Sequence, residues 1–238
     1  MASMALETLK SSLGFLTTLP IKGDIEVLRR NLWIFPFVGI FIGSFVSLPA
    51  IFGFWILCIL FYVVMEGINH IDGLADFGDA FFAPEDRKKI ALKDLNVGTG
   101  GVVFLSIYFL LLFYSFQRVE VLEIIAAQVF AKFSMLILLV TSKPAWEGMA
   151  KFMMEFAKKR DIVIGSIPLL IAFIKLSTLI ALFFAILVSF AVRKYAENKF
   201  GGVNGDTIGA CNCITFANSL LICSIFNETD IFPFSTFF

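Results

Sequence analysis

The sequence predicts an all-α, polytopic integral membrane protein: a bundle of about seven transmembrane helices with amphipathic helices at the interface. Three observations carry this. Of 238 residues, 59% are hydrophobic, 30 are Phe and only 16% are charged, and the mean hydropathy is +0.90, more apolar surface than a soluble core of this size can bury. Apolar runs recur at the length of a membrane crossing, about 20 residues. All of the 19 Lys and Arg except Arg118, Lys132 and Lys175 fall in the segments 1–31, 67–100, 142–161 and 193–206. The formal net charge is zero and identifies no partner. The chain reads as a single membrane-embedded catalytic domain, 1–238, without internal repeats or low-complexity tracts.

In order, residues 4–19 place Leu6, Leu9, Leu13 and Leu16 at helical spacing before Pro20, which predicts a short amphipathic helix on the membrane surface. No cleavable signal peptide is evident, since Glu7 and Lys10 interrupt the first 20 residues. Residues 32–65 are apolar and too long for one crossing; Pro49 divides them into spans near 32–48 and 50–66. Gly39 and Gly43 form a small-xxx-small pair suited to close helix packing. Further spans are expected at 101–117 and 121–141, the latter holding Glu123 near its end and Lys132 well inside. Lys132 should turn inward, since a charge facing lipid is costly. Residues 142–161, with Pro144 at a helix start and Trp146, Met149, Phe152, Met153 and Phe156 on one side, predict a second interfacial helix. Lys175 splits the next run into a short segment, 162–174, and a full one, 176–192; a seventh span is expected near 207–226. Seven crossings put every charged segment on one side, which the positive-inside rule makes the cytoplasm, with the C-terminus outside. The four cysteines, Cys58, Cys211, Cys213 and Cys223, lie in apolar stretches without metal-site spacing and read as small buried residues.

The chemistry concentrates in Gly67-Ile68-Asn69-His70-Ile71-Asp72-Gly73-Leu74-Ala75-Asp76-Phe77-Gly78-Asp79-Ala80. On a helix, Asp72, Asp76 and Asp79 (i, i+4, i+7) fall within about 60° of one another. Three carboxylates on one face repel unless a cation lies between them, and Mg²⁺ or Mn²⁺ is the hard-ligand occupant to expect. Small residues at Gly73, Ala75, Gly78 and Ala80 permit close approach, unlike a merely solvated acidic face. Asp94, after Lys93, is a candidate fourth metal ligand, and Asp206 a further carboxylate. Gly98-Thr99-Gly100-Gly101 and Gly201-Gly202-Val203-Asn204-Gly205-Asp206 each open a span, and glycine-rich helix starts suit phosphate oxygens. His70, the single histidine, is a candidate base, metal-shell partner or cap, and on a helix it points away from the aspartate face.

These motifs resemble those of adenosylcobinamide-GDP ribazoletransferase, the cobalamin synthase family. The resemblance rests on Phe15-Leu16-Thr17-Thr18-Leu19-Pro20, on Arg30 followed by Phe35-Pro36-Phe37-Val38-Gly39, and on His70-x-Asp72-Gly73-Leu74-Ala75-Asp76-x-x-Asp79. Lys93-Asp94, Gly98-Thr99, Glu147-Gly148, Gly201-Gly202 and Gly205-Asp206-Thr207-Ile208-Gly209-Ala210 continue it, and Lys132 stands where the family often has arginine. The chain departs from the family pattern at Leu95-Asn96, Asn204, Cys213 and Phe216. The resemblance implies a multi-pass cell-membrane enzyme, its active site facing the cytoplasm, that joins adenosylcobinamide-GDP to α-ribazole or its 5′-phosphate and releases GMP. Asp72, Asp76, Asp79 and His70 would then be catalytic. Metal ligands would be Asp72, Asp76, Asp79 and Asp94; substrate contacts would come from Arg30, Lys93, Asp94, Gly98, Thr99, Lys132, Gly202, Gly205 and Asp206. Partners would be the two small-molecule substrates and the lipid bilayer, not nucleic acid, with a homo-oligomer left open. Two other classes compete. A CDP-alcohol phosphotransferase would want arginine where Asp76 stands, and an ion-coupled transporter would want its charges near the midplane. Because Asp206 and the acidic motif share one side, the spans after Gly98 and after Gly205 are expected to pack beside the aspartate helix, around one cavity.

Overall fold

The computed structural model describes the backbone of residues 2–94 and 96–231, with side chains over 4–94 and 96–227; Met1, Leu95 and residues 232–238 lie outside the described residues. Among the described residues thirteen α-helices are joined by short connections: α1 (Ala2–Leu16), α2 (Ile25–Arg29), α3 (Phe35–Val46), α4 (Leu48–Ile51), α5 (Trp55–Glu66), α6 (Asn69–Phe82), α7 (Lys88–Ala91), α8 (Thr99–Phe116), α9 (Val121–Thr141), α10 (Met149–Met154), α11 (Lys159–Gly165), α12 (Leu176–Lys199) and α13 (Gly205–Ile231). Two 3₁₀ segments, Leu32–Ile34 and Ile167–Ile174, complete the order. Among the described residues β-pairing is limited to an isolated bridge between Pro144 and Val203.

Among the described residues four helices, α8, α9, α12 and α13, are long and apolar enough to cross a membrane, and the pair α5–α6 would make a fifth. That pair bends by 96°, so α6 turns aside from the spanning helices. The fold is therefore an all-α membrane bundle, and the length criterion gives four or five spans against the seven expected. The expected spans 32–48 and 50–66 are shorter helices, α3–α4 and α5, which run up and back. The expected short span 162–174 is α11 followed by the 3₁₀ segment Ile167–Ile174, with Pro168 at its start. This stretch leaves the C-terminal end of α9 and reaches Lys175, which pairs with Glu120 (2.5 Å) at the N-terminal end of the same helix. A 3₁₀ segment rises about 2.0 Å per residue against about 1.5 Å for an α-helix, so the tighter winding lengthens a segment too short to traverse the bundle as α-helix.

Helix α9 is the axis of the core, buried almost along its length. Gly39 and Gly43 on α3 meet its backbone: a Cβ on Gly39 would stand 2.8 Å from the Gln128 carbonyl oxygen, and one on Gly43 2.6 Å from the Ile125 Cα. The small-xxx-small pair is thus the α3–α9 contact. The four cysteines are free and buried.

One local expectation is corrected. Residues 142–161 are not one interfacial helix, and Pro144 does not start one. Lys143–Ala145 run beside Val203, with Ala145 N–H donating to the Val203 carbonyl and Val203 N–H to that of Lys143 (both 2.9 Å), and the helix forms only from Met149. Glu123, near the start of α9, is buried, accepting from Ser177 Oγ and Asn227 Nδ2 (both 2.7 Å), with Lys175 at 3.7 Å.

Candidate functional site

One end of the bundle gathers the N-terminal ends of α8 and α13, the C-terminal ends of α9 and α12, and α6 across them. Small residues allow this. A Cβ on Gly73 would lie 2.8 Å from the Asp206 carbonyl oxygen, and one on Gly209 3.1 Å from the His70 Cα, so α6 touches α13 backbone to backbone. On its other flank, a Cβ on Gly78 would meet the Phe104 ring at 2.7 Å and the Gly100 carbonyl at 2.9 Å, and one on Gly100 the Gly78 carbonyl at 2.6 Å. Helix α6 is wedged between α8 and α13, the spans expected beside it. Its C-terminal carbonyls are closed by the buried Lys88, whose Nζ donates to Phe81 O (2.7 Å) and Ala80 O (3.2 Å).

The aspartates hold different posts. Asp72 is exposed and Asp76 half-buried. Burial first, and then the charges of Asp206, Asp72, Asp79 and Asp94, push the Asp76 carboxyl up from 3.8 to about 7. Asp79 accepts the N–H of Gly98 on Oδ2 (2.7 Å) and of Gly101 on Oδ1 (2.9 Å), capping α8 from a neighbouring helix. A Cβ on Gly98 would stand 2.6 Å from Asp79 Oδ1, so that glycine lets the carboxylate in. Asp94 is exposed, and hydrogen bonds from the backbone and side chain of Asn96 hold its carboxyl below the usual range. Asp206 does not cap α13. That is done by Asn204, whose Oδ1 accepts from Thr207 N (3.0 Å) and Oγ1 (2.7 Å), while its Nδ2 donates to Asp206 Oδ2 (2.6 Å). Among the described residues no three Asp, Glu, His or Cys side chains form a ready metal cage. Asp72, Asp76 and Asp206 nonetheless suit an ion of the Mg²⁺ type, which takes one or two carboxylates and completes its shell with water and substrate phosphate.

The other expected site residues divide. Gly205 and Thr99 are exposed at the two helix starts, but Gly202 is buried, and its Cβ would lie 2.5 Å from the Lys143 carbonyl oxygen. Lys93 stacks on Trp146 at 4.2 Å and Arg30 on Phe156 at 4.1 Å. Lys132 is fully buried, donating to Glu66 Oε1 (2.5 Å) and Asn212 Oδ1 (2.8 Å). The same Glu66 oxygen meets Asn212 Nδ2 (2.5 Å) and His70 Nδ1 (2.8 Å). Sequence reasoning passed over Glu66 because it closes an apolar run. The signal was its place four residues before His70, one helical turn away.

Fold and site together define a polytopic membrane protein with an acidic cluster at one end of its bundle. The family model described as "CobS: Cobalamin-5-phosphate synthase" matches residues 8–224. Two proteins of Archaeoglobus fulgidus named adenosylcobinamide-GDP ribazoletransferase are similar: one is 69% identical, covering 92% of this chain and 98% of its own, the other 46% identical over 90% and 96%. One of the same name from Pyrococcus abyssi is 34% identical over 91% and 97%. No solved structure matches. The chain belongs to the cobalamin-5-phosphate synthase family.

Two outcomes follow from this geometry. Breaking a buried pair strands a charge and costs about 3–5 kcal/mol. Lys132→Met should therefore lower the melting temperature of the detergent-purified protein sharply, and adding Glu66→Gln should restore much of it; no rescue would mean that Lys132 contributes otherwise. For Asp76, whose pKa rises on folding, the stabilising contribution is complete below the unfolded value and lost as pH rises through about 7. Asp76→Asn should then melt like the wild type at about pH 4 and above it at about pH 8, and a divalent cation should narrow that gap by stabilising the wild type. Equal melting at both pH values would contradict the crowding of carboxylates.

Proposed function

We propose that this chain is the membrane transferase that joins adenosylcobinamide-GDP to α-ribazole, or α-ribazole 5′-phosphate, with release of GMP. The observation that carries the reading is the wedging of α6, with its aspartates, between the N-termini of α8 and α13 in a chain of this family.

Asp72 and Asp76, with Asp206 beside them, would hold Mg²⁺ or Mn²⁺. That ion, when bound, supplies positive charge against the diphosphate and the departing GMP. Asp79 occupies the amides of Gly98 and Gly101, which leaves the first-turn amides of Thr99 and Gly100 for phosphate oxygens. The start of α13 offers the same on the other flank. The exposed Lys93 and Arg30 would draw anionic substrate toward the protein. The ribazole hydroxyl gives its proton to a carboxylate of the cluster as its oxygen attacks the phosphorus on the cobinamide side. Seven crossings, counting α3–α4, α5 and α11 with its 3₁₀ extension, would place this end at the cytoplasmic face of the cell membrane.

The purified chain should turn over both substrates only with a divalent ion present. Asp206→Ala should lose at least about two orders of magnitude in kcat, a barrier rise of about 2.7 kcal/mol, while melting like the wild type because Asn204 holds the cap. A stable Asp206→Ala protein with full activity would remove Asp206 from the site. Orientation is read separately: a cysteine at exposed position 89 should resist impermeant thiol reagents in intact cells and react after permeabilisation. Ready labelling from outside would reverse the topology.

A further inference from the structure

Beside the aspartate cluster lies a cavity of about 640 Å³. Helices α1 and α10 cover it, through Phe15 and Met153; the α5–α6 corner, Glu66 to His70, forms its floor; and the first turn of α13, with Asp206, closes the side nearest the other aspartates. The established family activity handles three bulky groups, a corrinoid, a guanosine diphosphate and the acceptor nucleoside, and the lining discriminates among them.

Size comes first. Cavities of roughly 300–1,000 Å³ enclose drug-sized molecules, which suits a nucleoside and excludes a corrinoid macrocycle. Charge comes second. No Lys or Arg lines the cavity, so no side chain of its wall would neutralise a diphosphate, and the lining carboxylate Glu66 already has Lys132 as its counter-ion. Surface comes third. Phe35, Met135, Leu139 and Met149 join Phe15 and Met153 in an apolar wall, and thioethers pack well on aromatic faces. Guanine, ringed with donors and acceptors, would leave most of them unpaired against such a wall. A benzimidazole base has no exocyclic polar group to satisfy.

The polar part of the lining, Thr17, Thr18, Asn69 and His70 beside Glu66 and Asp206, is left for the sugar. His70 Nδ1 lies 2.8 Å from Glu66 Oε1. Nδ1 is thus taken by Glu66, and Nε2 is the ring nitrogen left for a ligand. The His70 side chain is 14% exposed, and His70 lines the cavity. A sugar hydroxyl, which can donate and accept, matches it.

We propose that this cavity is the binding site of the acceptor nucleoside, its aromatic base against the Phe and Met wall and a sugar hydroxyl hydrogen-bonded to His70 Nε2. The inference rests on the transferase reading above. Glu66, Lys132 and Asn212 act through His70, as positioning residues that fix its ring. Asp206 belongs to both the cavity and the carboxylate cluster, so a nucleoside seated here presents its sugar to the reacting phosphate.

Ala150, buried in the cavity wall on α10, gives the test. Ala150→Phe should fill part of the cavity and raise KM for α-ribazole about tenfold, equivalent to about 1.4 kcal/mol, leaving KM for adenosylcobinamide-GDP within about twofold. His70→Asn keeps an amide near the Nδ1 position for Glu66 but withdraws the Nε2 nitrogen from the cavity. It should raise the same KM, and it carries the test if Ala150→Phe does not fold. A shift confined to the KM for adenosylcobinamide-GDP in either variant would overturn the assignment while the transferase reading stood. A wild-type chain that turned over neither α-ribazole nor its 5′-phosphate would overturn that reading, and this one with it.

Discussion

The arrangement depends on an ion pair that has no access to water. Glu66 ends α5 well inside the bundle: its partner Asn212 is the eighth residue of α13, about 10 Å below that helix's start at about 1.5 Å per residue. A lone carboxylate there would be prohibitive. Lys132, Asn212 and His70 all converge on Oε1, which makes the charge tolerable and ties four helices, α5, α6, α9 and α13, to one atom. The chain can afterwards turn by 96°, because the α5 terminus is fixed by side chains rather than by continuation of the helix. Gly67, with φ at +75°, supplies the left-handed backbone of that turn.

What the turn achieves is a helix of carboxylates held against two helix N-termini. Like charges would drive such a helix off the bundle. Backbone contacts on both flanks, at Gly73 and Gly209 toward α13 and at Gly78 and Gly100 toward α8, hold it by close van der Waals packing instead. The positive ends of α8 and α13 favour the negative face they meet. Asp79 turns one of the repelling charges into a structural bond, since each of its oxygens accepts an amide of α8.

Much of this was legible in the sequence, for reasons that mark where legibility ends. Helical periodicity placed Asp72, Asp76 and Asp79 on one face, the cost of charge in lipid turned Lys132 inward, and the spacing of Gly39 and Gly43 announced a close helix pair. Each depends only on local period or transfer energy. Side-chain assignments that depend on a distant partner were not readable. Asp79 looks like Asp76 in sequence, yet the loop before α8 claims it. Asn204, met first as a departure from the family pattern, is the cap of α13, and so frees Asp206 from that duty. Gly202 reads as a phosphate loop and is a packing glycine under Lys143 and Pro144. Pro144 reads as a helix start and lies in an extended pair with Val203, a contact made across almost sixty residues of chain.

The division of labour among the carboxylates then has a thermodynamic reading. Burial and like charge leave Asp76 reluctant to ionise, while Asp79 and Asp94 are satisfied by hydrogen bonds. The unsatisfied negative charge is thus concentrated where α6 meets α13, beside Asp206, rather than spread along α6. A protein that stores repulsion at one point of an otherwise well-packed bundle gains stability whenever a cation settles there, by an amount set by ligand concentration over its dissociation constant. The same packing that makes the repulsion tolerable keeps the carboxylates from moving apart to relieve it. Close backbone contact at Gly73 is therefore as much a part of the site as the aspartates it places.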